Sequence, residues 1–185
     1  MPTNRLLLRR WRPADREPFA ELNADPEVMR YFERPLDRAA SDAMIDRIEA
    51  RFDELGYGLW AVEVQATGQF IGFTGLSRQT FEAPFTPAVE VGWRLARAAW
   101  GHGYATEAAT AALDFGFRRG GLAEIVSTTT RTNERSQAVM RRLGMTRDPA
   151  DDFEHPDLSE GHPLRWHVLY RITRDKWAAR TSRAR

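Results

Sequence analysis

The sequence Glu90-Val-Gly-Trp-Arg-Leu-Ala-Arg-Ala-Ala-Trp-Gly-His-Gly-Tyr-Ala-Thr-Glu107 joins a predicted strand to a predicted helix through a turn that contains two glycines. Apolar and polar residues alternate over residues 89–95, which is the period of a strand with two different faces. From Tyr104 the apolar spacing becomes helical and continues to about Arg118, before Gly120 and Gly121. In the turn between them the backbone can approach a ligand closely, and the helix N-terminus offers free N–H groups. We therefore expect the turn to bind a phosphate.

Two other kinds of phosphate-binding turn are excluded by the side chains present. A P-loop needs Gly-Lys-Ser/Thr at the start of the helix, but Gly103 is followed by Tyr104 and Ala105, and the single lysine is Lys176. A dinucleotide fingerprint needs a further Gly or Ala where Thr106 stands, and an acidic residue at the end of the next strand. The next predicted strand ends in threonines instead.

Two motifs resemble those of the GCN5-related N-acetyltransferase (GNAT) superfamily. Trp100-x-x-Gly103-x-Ala105 is similar to the family's Q/R-x-x-G-x-G/A turn, which binds the pyrophosphate of coenzyme A. Asn133-x-x-Ser136, with Leu143-Gly144-Met145 after it, resembles N-x-x-S/A-x-x-x-x-x-K-L-G-F, whose helix flanks the pantetheine arm. The form Trp-Gly-x-Gly-Tyr-Ala-Thr-Glu-Ala is typical of the branch that resembles the ribosomal-protein alanine N-acetyltransferases (RimJ/RimL-like). Two motifs in family order coincide by chance much less often than one.

The resemblance covers nearly the whole chain and implies a mixed α/β (α+β) fold. The expected GNAT acyl-CoA N-acyltransferase fold has a mostly antiparallel sheet of six or seven strands, flanked by helices. The predicted strands are residues 5–11, 58–65, 69–76, 89–95, 125–130 and 164–172, and the predicted helices begin near Pro13, Arg38, Tyr104 and Asn133.

Composition agrees with an enzyme-sized domain. The 185 residues, 42% of them hydrophobic, suffice for one core, so we expect a single domain over residues 1–180 and a solvated basic tail over 181–185. The net charge of +1 gives no reason to expect a nucleic-acid partner, and no apolar run approaches the ~18 residues of a membrane span. The absence of cysteine and the short apolar run near the N-terminus favour a cytoplasmic location. We expect a monomer or homodimer.

Three of the four histidines lie in the distal segment, as His155, His162 and His167. Two of them precede prolines, and no paired spacing on a helix is present, so no metal is expected.

Acetyl transfer to an amine requires a base, because an amine is mostly protonated near pH 7. Glu90 lies at the position on the motif strand where GNAT relatives often carry the general base, so the resemblance implies this role. The alternative is a surface carboxylate paired with an arginine such as Arg94. The developing oxyanion would accept a hydrogen bond from the backbone N–H of Trp93 or Leu95.

The chain departs from the family pattern at two positions. Many relatives have a proton-donating tyrosine where Met140 stands, and methionine cannot donate. Ser136 is the expected donor to the leaving thiolate, or else its hydroxyl only satisfies local backbone groups. Asn133 is expected to bridge the pantetheine amides, to cap its helix, or both. Trp100 stands at the Q/R position, which leaves the pyrophosphate to the backbone of the turn.

The sequence therefore predicts an acetyl-CoA-dependent N-acetyltransferase that acts on a primary amine of a protein N-terminus or of a small molecule. The alternative is a non-catalytic acyl-CoA-binding or regulatory domain, which Met140 favours. The expected coenzyme contacts are Trp93, Arg94, Leu95, Gly101, His102, Gly103, Tyr104, Ala105, Thr106 and Asn133. The expected acceptor contacts are Tyr31, Phe32, Phe81, Phe85, His155 and Asp157. Acidic residues in the two acceptor loops, residues 80–87 and 153–162, would favour a basic acceptor.

Overall fold

The computed structural model describes residues 1–183, which form five α-helices and eight strands. The strands are β1 (Leu6–Arg9), β2 (Leu59–Val64), β3 (Gln69–Gln79), β4 (Ala88–Leu95), β5 (Glu124–Thr130), β6 (Thr146–Arg147), β7 (Phe153–Glu154) and β8 (Trp166–Thr173). The α-helices are α1 (Arg16–Ala24), α2 (Arg38–Leu55), α3 (Tyr104–Arg118), α4 (Glu134–Arg142) and α5 (Arg174–Arg183).

The strands pair in the order β1-β2-β3-β4-β5-β8-β6, and β7 pairs with β8. The β1–β2, β2–β3 and β5–β8 pairs are antiparallel, while β4 and β5 are parallel. The mixed fold with a mostly antiparallel sheet is confirmed. Within residues 1–183 the sheet has eight strands rather than six or seven. The additional strands, β6 and β7, have two residues each, which is too short for an alternating pattern.

The first of two compact units consists of residues 1–76 and 92–112. Its core contains Phe19 of α1, which packs edge-on against Trp11 with ring centroids 4.8 Å apart. Helix α2 begins where Asp37 accepts a hydrogen bond from the Ala40 N–H, and it ends at Gly56, whose φ is 72°. Its first residue, Arg38, confirms the predicted start of this helix.

The second unit consists of residues 77–91 and the part of the chain from residue 113 onward. Strands β5 and β8 pair along their whole lengths, from Glu124 opposite Thr173 to Thr130 opposite His167. Val126 and Leu169 of these strands form a buried cluster with Phe153, and Phe81 and Phe85 pack against it.

Helix α5 is packed onto its unit, although its basic residues Arg174, Lys176 and Arg180 are exposed. Trp177 is 3% exposed, and its indole N–H donates to Asp114 Oδ1 at 2.7 Å. Arg174 Nε donates to the carbonyl of Leu122 at 2.9 Å, in the connection between α3 and β5. The predicted boundary at residue 181 falls inside α5, and residues 184–185 lie outside the described residues. The single-domain organisation stays a prediction.

Candidate active site

The glycine turn that precedes α3 has the backbone geometry of an anion site. Gly101 and Gly103 both have φ of 79°, a left-handed conformation that side chains other than glycine rarely adopt. The first intrahelical hydrogen bond runs from the Glu107 N–H to the Gly103 carbonyl at 3.1 Å. The N–H groups of residues 104–106 precede that bond and have no partner within the helix. The turn therefore fits a pyrophosphate bound at a helix N-terminus.

Trp100 holds this turn to the end of β4. Its indole N–H donates to the Leu95 carbonyl at 2.9 Å, so the residue at the Q/R position binds the protein's own backbone. His102, which is exposed, stacks on the half-buried ring of Tyr104 with centroids 5.4 Å apart.

An ion pair that the sequence did not predict fixes the first turn of α3. Glu107 accepts hydrogen bonds from the Arg5 backbone N–H at 2.8 Å and from the Thr3 hydroxyl at 2.6 Å, and it pairs with the Arg5 guanidinium at 2.7 Å. Burial raises the pKa of Glu107, but these hydrogen bonds and the Arg5 charge outweigh it, so the pKa is lowered. The Arg5 guanidinium also covers the Tyr104 ring at 4.7 Å. The sequence signal that could have indicated this ion pair was the position of Glu107, an acidic residue in the first turn of the predicted helix.

Glu90 lies on β4 with a carboxylate that is held by neutral donors. One oxygen accepts from the Thr128 backbone N–H at 2.8 Å and from the Thr128 hydroxyl at 2.7 Å. The other accepts from the Gln79 amide at 2.5 Å. No cation forms an ion pair with Glu90 among residues 1–183, so the predicted alternative of a pair with an arginine is not found. Burial raises the pKa of Glu90, although the hydrogen bonds from Thr128 and Gln79 oppose it.

The strand pairing at Glu90 explains why this side chain reaches β5. Parallel pairing of β4 with β5 places Glu90 opposite Val126. At the next position the Ser127 hydroxyl, which is buried, donates to the Val91 carbonyl at 2.9 Å. At this position a side-chain hydrogen bond joins β4 to β5. One residue further along β5, the backbone N–H of Thr128 donates to the Glu90 carboxylate.

Asn133 caps helix α4, as one of its two predicted roles required. Its side-chain oxygen accepts from the Ser136 N–H at 3.2 Å, and its amide donates to Thr129 Oγ1 at 2.9 Å and to Ser136 Oγ at 3.1 Å. The Ser136 hydroxyl accepts this bond, so its own proton remains available for donation. Met140 is 1% exposed and belongs to the core.

Four of the residues predicted to contact the acceptor amine lie in two different places. Phe81, Phe85 and His155 lie together: the Phe81 ring is 5.9 Å from Phe85 and 4.7 Å from the His155 ring. Phe32, by contrast, lies in the connection between α1 and α2, where it is 41% exposed. Its ring covers the Arg94 guanidinium at 4.1 Å.

Two further acceptor candidates lie near these groups. Tyr31, next to Phe32, is half-buried and lies 6.0 Å from the Arg30 guanidinium. Asp157 is exposed, and its backbone N–H donates to His155 Nδ1 at 3.3 Å.

His167 was not predicted to join Phe81, Phe85 and His155, which we call the aromatic group. Its ring lies 5.0 Å from the His155 ring and 5.6 Å from Phe153. Burial lowers the pKa of both histidines, so both are neutral at pH 7. Among the acidic residues nearby, Glu154 pairs with Arg165 at 3.0 Å, which reduces its attraction for a basic acceptor.

Arg94, one of the predicted coenzyme contacts, has a charged side chain that is buried. It is 9% exposed, and Nη1 donates to the buried Asn23 Oδ1 at 2.6 Å. Desolvation lowers its pKa to about 10. Trp93, its neighbour on β4, is half-buried.

Neither a metal site nor a membrane-crossing helix is formed by the part of the chain that the structure describes. There, no three His, Cys, Asp or Glu side chains converge as a metal site requires. No helix within residues 1–183 has the length and apolar composition for crossing a membrane.

The sequence profile of the acetyltransferase (GNAT) domain matches residues 5–146, so the chain belongs to the GNAT acetyltransferase family. It is 33% identical over 173 residues to FsC-acetyl coenzyme A-N(2)-transacetylase of Aspergillus fumigatus, covering 88% of this chain and 71% of that protein. A solved acetyltransferase from Agrobacterium tumefaciens is similar with a TM-score of 0.74 and 29% identity, covering 93% of this chain and 92% of that one.

Two more distant structures share the fold. Spermidine N-acetyltransferase from Vibrio cholerae, in complex with CoA and spermine, has a TM-score of 0.74 at 19% identity, covering 94% of this chain and 98% of that one. RimL, a ribosomal L7/L12 alpha-N-protein acetyltransferase in complex with coenzyme A, has a TM-score of 0.73 at 18% identity, covering 92% and 95%. These neighbours bind coenzyme A, while their named acceptors differ. The fold therefore leaves the acceptor open.

Proposed function

We propose that this protein transfers an acetyl group from acetyl-CoA to a primary amine, with Glu90 as the general base. The observation that carries the proposal is the Glu90 carboxylate, which is partly buried, has no ion-pair partner in residues 1–183, and has a raised pKa. A carboxylate with a raised pKa is a stronger base than an exposed one. This combination suits removal of a proton from an ammonium group.

The turn of residues 101–106 is proposed to bind the coenzyme through its backbone. Bound acetyl-CoA supplies a thioester whose carbonyl carbon the amine attacks. The N–H groups at the start of α3 would hold the pyrophosphate, and the Arg5–Glu107 pair keeps that first turn in place. His102 and Tyr104 flank the turn with their rings and are proposed to exclude water from it.

Proton transfers in this proposal are assigned to two side chains. Glu90 accepts the proton that the amine loses as its nitrogen forms the new bond to carbon. As the carbon–sulfur bond breaks, the thiolate takes a proton from the Ser136 hydroxyl or from solvent. The N–H of Trp93 or Leu95 would stabilise the charge on the carbonyl oxygen.

Asn133 has a supporting role, because its cap fixes the start of α4 and the Ser136 hydroxyl. The acceptor is proposed to be an amine of a protein N-terminus or of a small molecule, and the RimJ/RimL-like form of the turn motif favours the former. A cytoplasmic location suits both kinds of acceptor.

The test is thiol release from acetyl-CoA with a panel of peptides, ribosomal proteins, polyamines, aminoglycosides and amino acids. We expect at least one amine to give stoichiometric thiol and a product heavier by one acetyl group in mass spectrometry. The competing function, a non-catalytic acyl-CoA-binding domain, is favoured by the buried Met140 at the position of the family's tyrosine. Tight coenzyme binding without acetylation of any amine would establish that alternative.

A further inference from the structure

A buried arginine without a carboxylate partner lies near the end of β4, in the unit formed by residues 1–76 and 92–112. Arg94 is 9% exposed, and its Nε has no hydrogen-bond partner among the described residues. Its one described side-chain hydrogen bond goes to a neutral amide, that of Asn23. No acidic residue within residues 1–183 forms an ion pair with it. Burying a cation in this way is costly, because one hydrogen bond to a neutral amide replaces only part of the water that it loses.

The surroundings of Arg94 form a fixed polar site. Asn23 and Ser41 are both 0% exposed, and the Asn23 amide donates to the Ser41 hydroxyl at 2.9 Å. This bond leaves the Asn23 oxygen to accept from Arg94 Nη1 at 2.6 Å. Helices α1 and α2 thereby set the direction of the guanidinium, so little rotational freedom would be lost on binding a ligand.

Two aromatic rings flank the guanidinium. Phe73, which is 5% exposed, lies 5.4 Å away, and Phe32 lies 4.1 Å away on the more exposed side. Such contacts favour the charged form of arginine, but they do not supply a counter-ion. With a pKa of about 10 the group still carries its charge at pH 7. Phe32 is 41% exposed and belongs to a connection rather than to a helix or strand.

We propose that Arg94, Asn23 and Phe32 form a carboxylate-binding site, and that the acceptor amine itself bears a carboxylate, as an amino acid does. This inference rests on the proposed acetyl transfer. A carboxylate supplies the missing counter-ion, and its two oxygens match the parallel N–H donors of a guanidinium. The proposal selects small amino-acid-like acceptors over polyamines, and also over a protein N-terminus, which has no free carboxylate beside its amine.

The phosphates of the coenzyme are less suited to this site. They have their own donors in the N–H groups of residues 104–106. The carbonyl of Leu95 binds Trp100 of that turn, whereas the side chain of Arg94 contacts α1 and the connection after it. The two anion sites therefore use different elements of the unit.

The kinetic test compares matched acceptors. α-Amino acids, β-alanine and γ-aminobutyrate are each assayed beside their carboxamides, with wild type, Arg94→Gln and Arg30→Gln. Arg30 is exposed in the same connection as Phe32, so its variant controls for loss of one positive charge. We expect wild type to favour at least one carboxylate over its carboxamide by about 10- to 100-fold in kcat/KM. Arg94→Gln should abolish that preference, mainly through KM, without changing the KM of acetyl-CoA.

Equal values of kcat/KM for carboxylates and carboxamides in wild type would overturn the inference. An equal fall in kcat/KM for carboxylates and for carboxamides in Arg94→Gln would also overturn it. If Arg94→Gln fails to fold, Arg94→Met replaces it, because an apolar side chain of similar length suits a site between two phenylalanines.

A binding measurement separates this inference from the proposed function. N-acetylated amino acids and N-acetylated carboxamides are titrated into the coenzyme-free protein, and the melting temperature is followed. A rise that requires both the carboxylate and Arg94 supports the site even if no amine is acetylated. If amines are acetylated but the melting temperature does not rise and carboxylates are not preferred, the carboxylate-binding site is disproved while the proposed acetyl transfer stands.

Discussion

Thr128 donates two hydrogen bonds to one carboxylate oxygen of Glu90, from its backbone N–H at 2.8 Å and from its hydroxyl at 2.7 Å. Because both donors belong to one residue of β5, they fix the carboxylate in one orientation. They also stabilise the ionised form, yet burial still leaves the pKa of Glu90 raised. The balance between these effects gives three predictions.

The first prediction concerns catalysis. Glu90→Gln should lower kcat/KM by about 10²–10⁴-fold, because the amide keeps the shape but cannot accept a proton. Coenzyme affinity by calorimetry should be nearly unchanged. Glu124→Gln, a glutamate on the adjacent strand that pairs with Arg171, is the control and should keep full activity. Full activity of Glu90→Gln between pH 6 and 9 would show that Glu90 is structural.

The second prediction concerns the pH profile. The Thr128 hydroxyl lowers the pKa of Glu90, so Thr128→Val should raise that pKa further while keeping the backbone hydrogen bond. The base acts only when ionised, so the rate falls as the pH drops through its pKa. The acidic limb of kcat/KM should therefore move to higher pH in Thr128→Val, with a similar plateau at alkaline pH. An unmoved limb would mean that another group controls it.

The third prediction follows from linkage. The folded-state pKa of Glu90 lies above its unfolded value, so the native state binds this proton more tightly and loses stability as the pH rises through the raised pKa. Glu90→Gln should thus be more stable than wild type at pH 8. The difference should shrink as the pH falls and Glu90 becomes protonated. Denaturant titrations at pH 5 and pH 8 measure it, and a stability gain that is the same at both values would contradict the linkage.

Local signals predicted the elements that surround the coenzyme turn. Helix α3 was predicted with its observed bounds, because the apolar spacing and the glycines after Arg118 act within a few residues. Helix α5 was missed because a single buried residue, Trp177, gives no periodic pattern among basic residues. Its burial depends on Asp114, which lies far away in the sequence.

In the candidate active site, too, local sequence signals predicted some residues, while contacts between distant segments could not be predicted. Alternation along β4 and the resemblance to the family indicated Glu90 from the sequence. Its partners Thr128 and Gln79 could not be predicted, because they depend on the register of β4 against its neighbours. The contact of Arg94 with Asn23 likewise joins segments that no short-range pattern connects.

The fourth prediction tests the coenzyme turn. Gly103 has a φ of 79°, so Gly103→Val should strain the backbone and crowd the pyrophosphate. Gly68, with a φ of 70° in the turn between β2 and β3, has no atom near an added Cβ and gives a matched control for strain. Both variants should lose about 1–2 kcal/mol of stability. Calorimetry should show weaker acetyl-CoA binding in Gly103→Val alone, and unchanged affinity there would place the coenzyme elsewhere.

The last prediction separates packing from acceptor recognition in the aromatic group. Phe85 packs against the buried cluster of Val126, Phe153 and Leu169, so Phe85→Ala should lower the free energy of unfolding by about 2–3 kcal/mol. His155 is half-buried and neutral at pH 7, and its ring lies 4.7 Å from Phe81, where a substrate could contact both. His155→Ala should therefore change stability less and change the relative kcat/KM across the amine panel by several-fold. Asp157→Ala, at an exposed position of the same loop, should leave stability unchanged and alter the same ratios. If His155→Ala and Asp157→Ala both leave those ratios unaltered, residues 153–162 do not contact the acceptor.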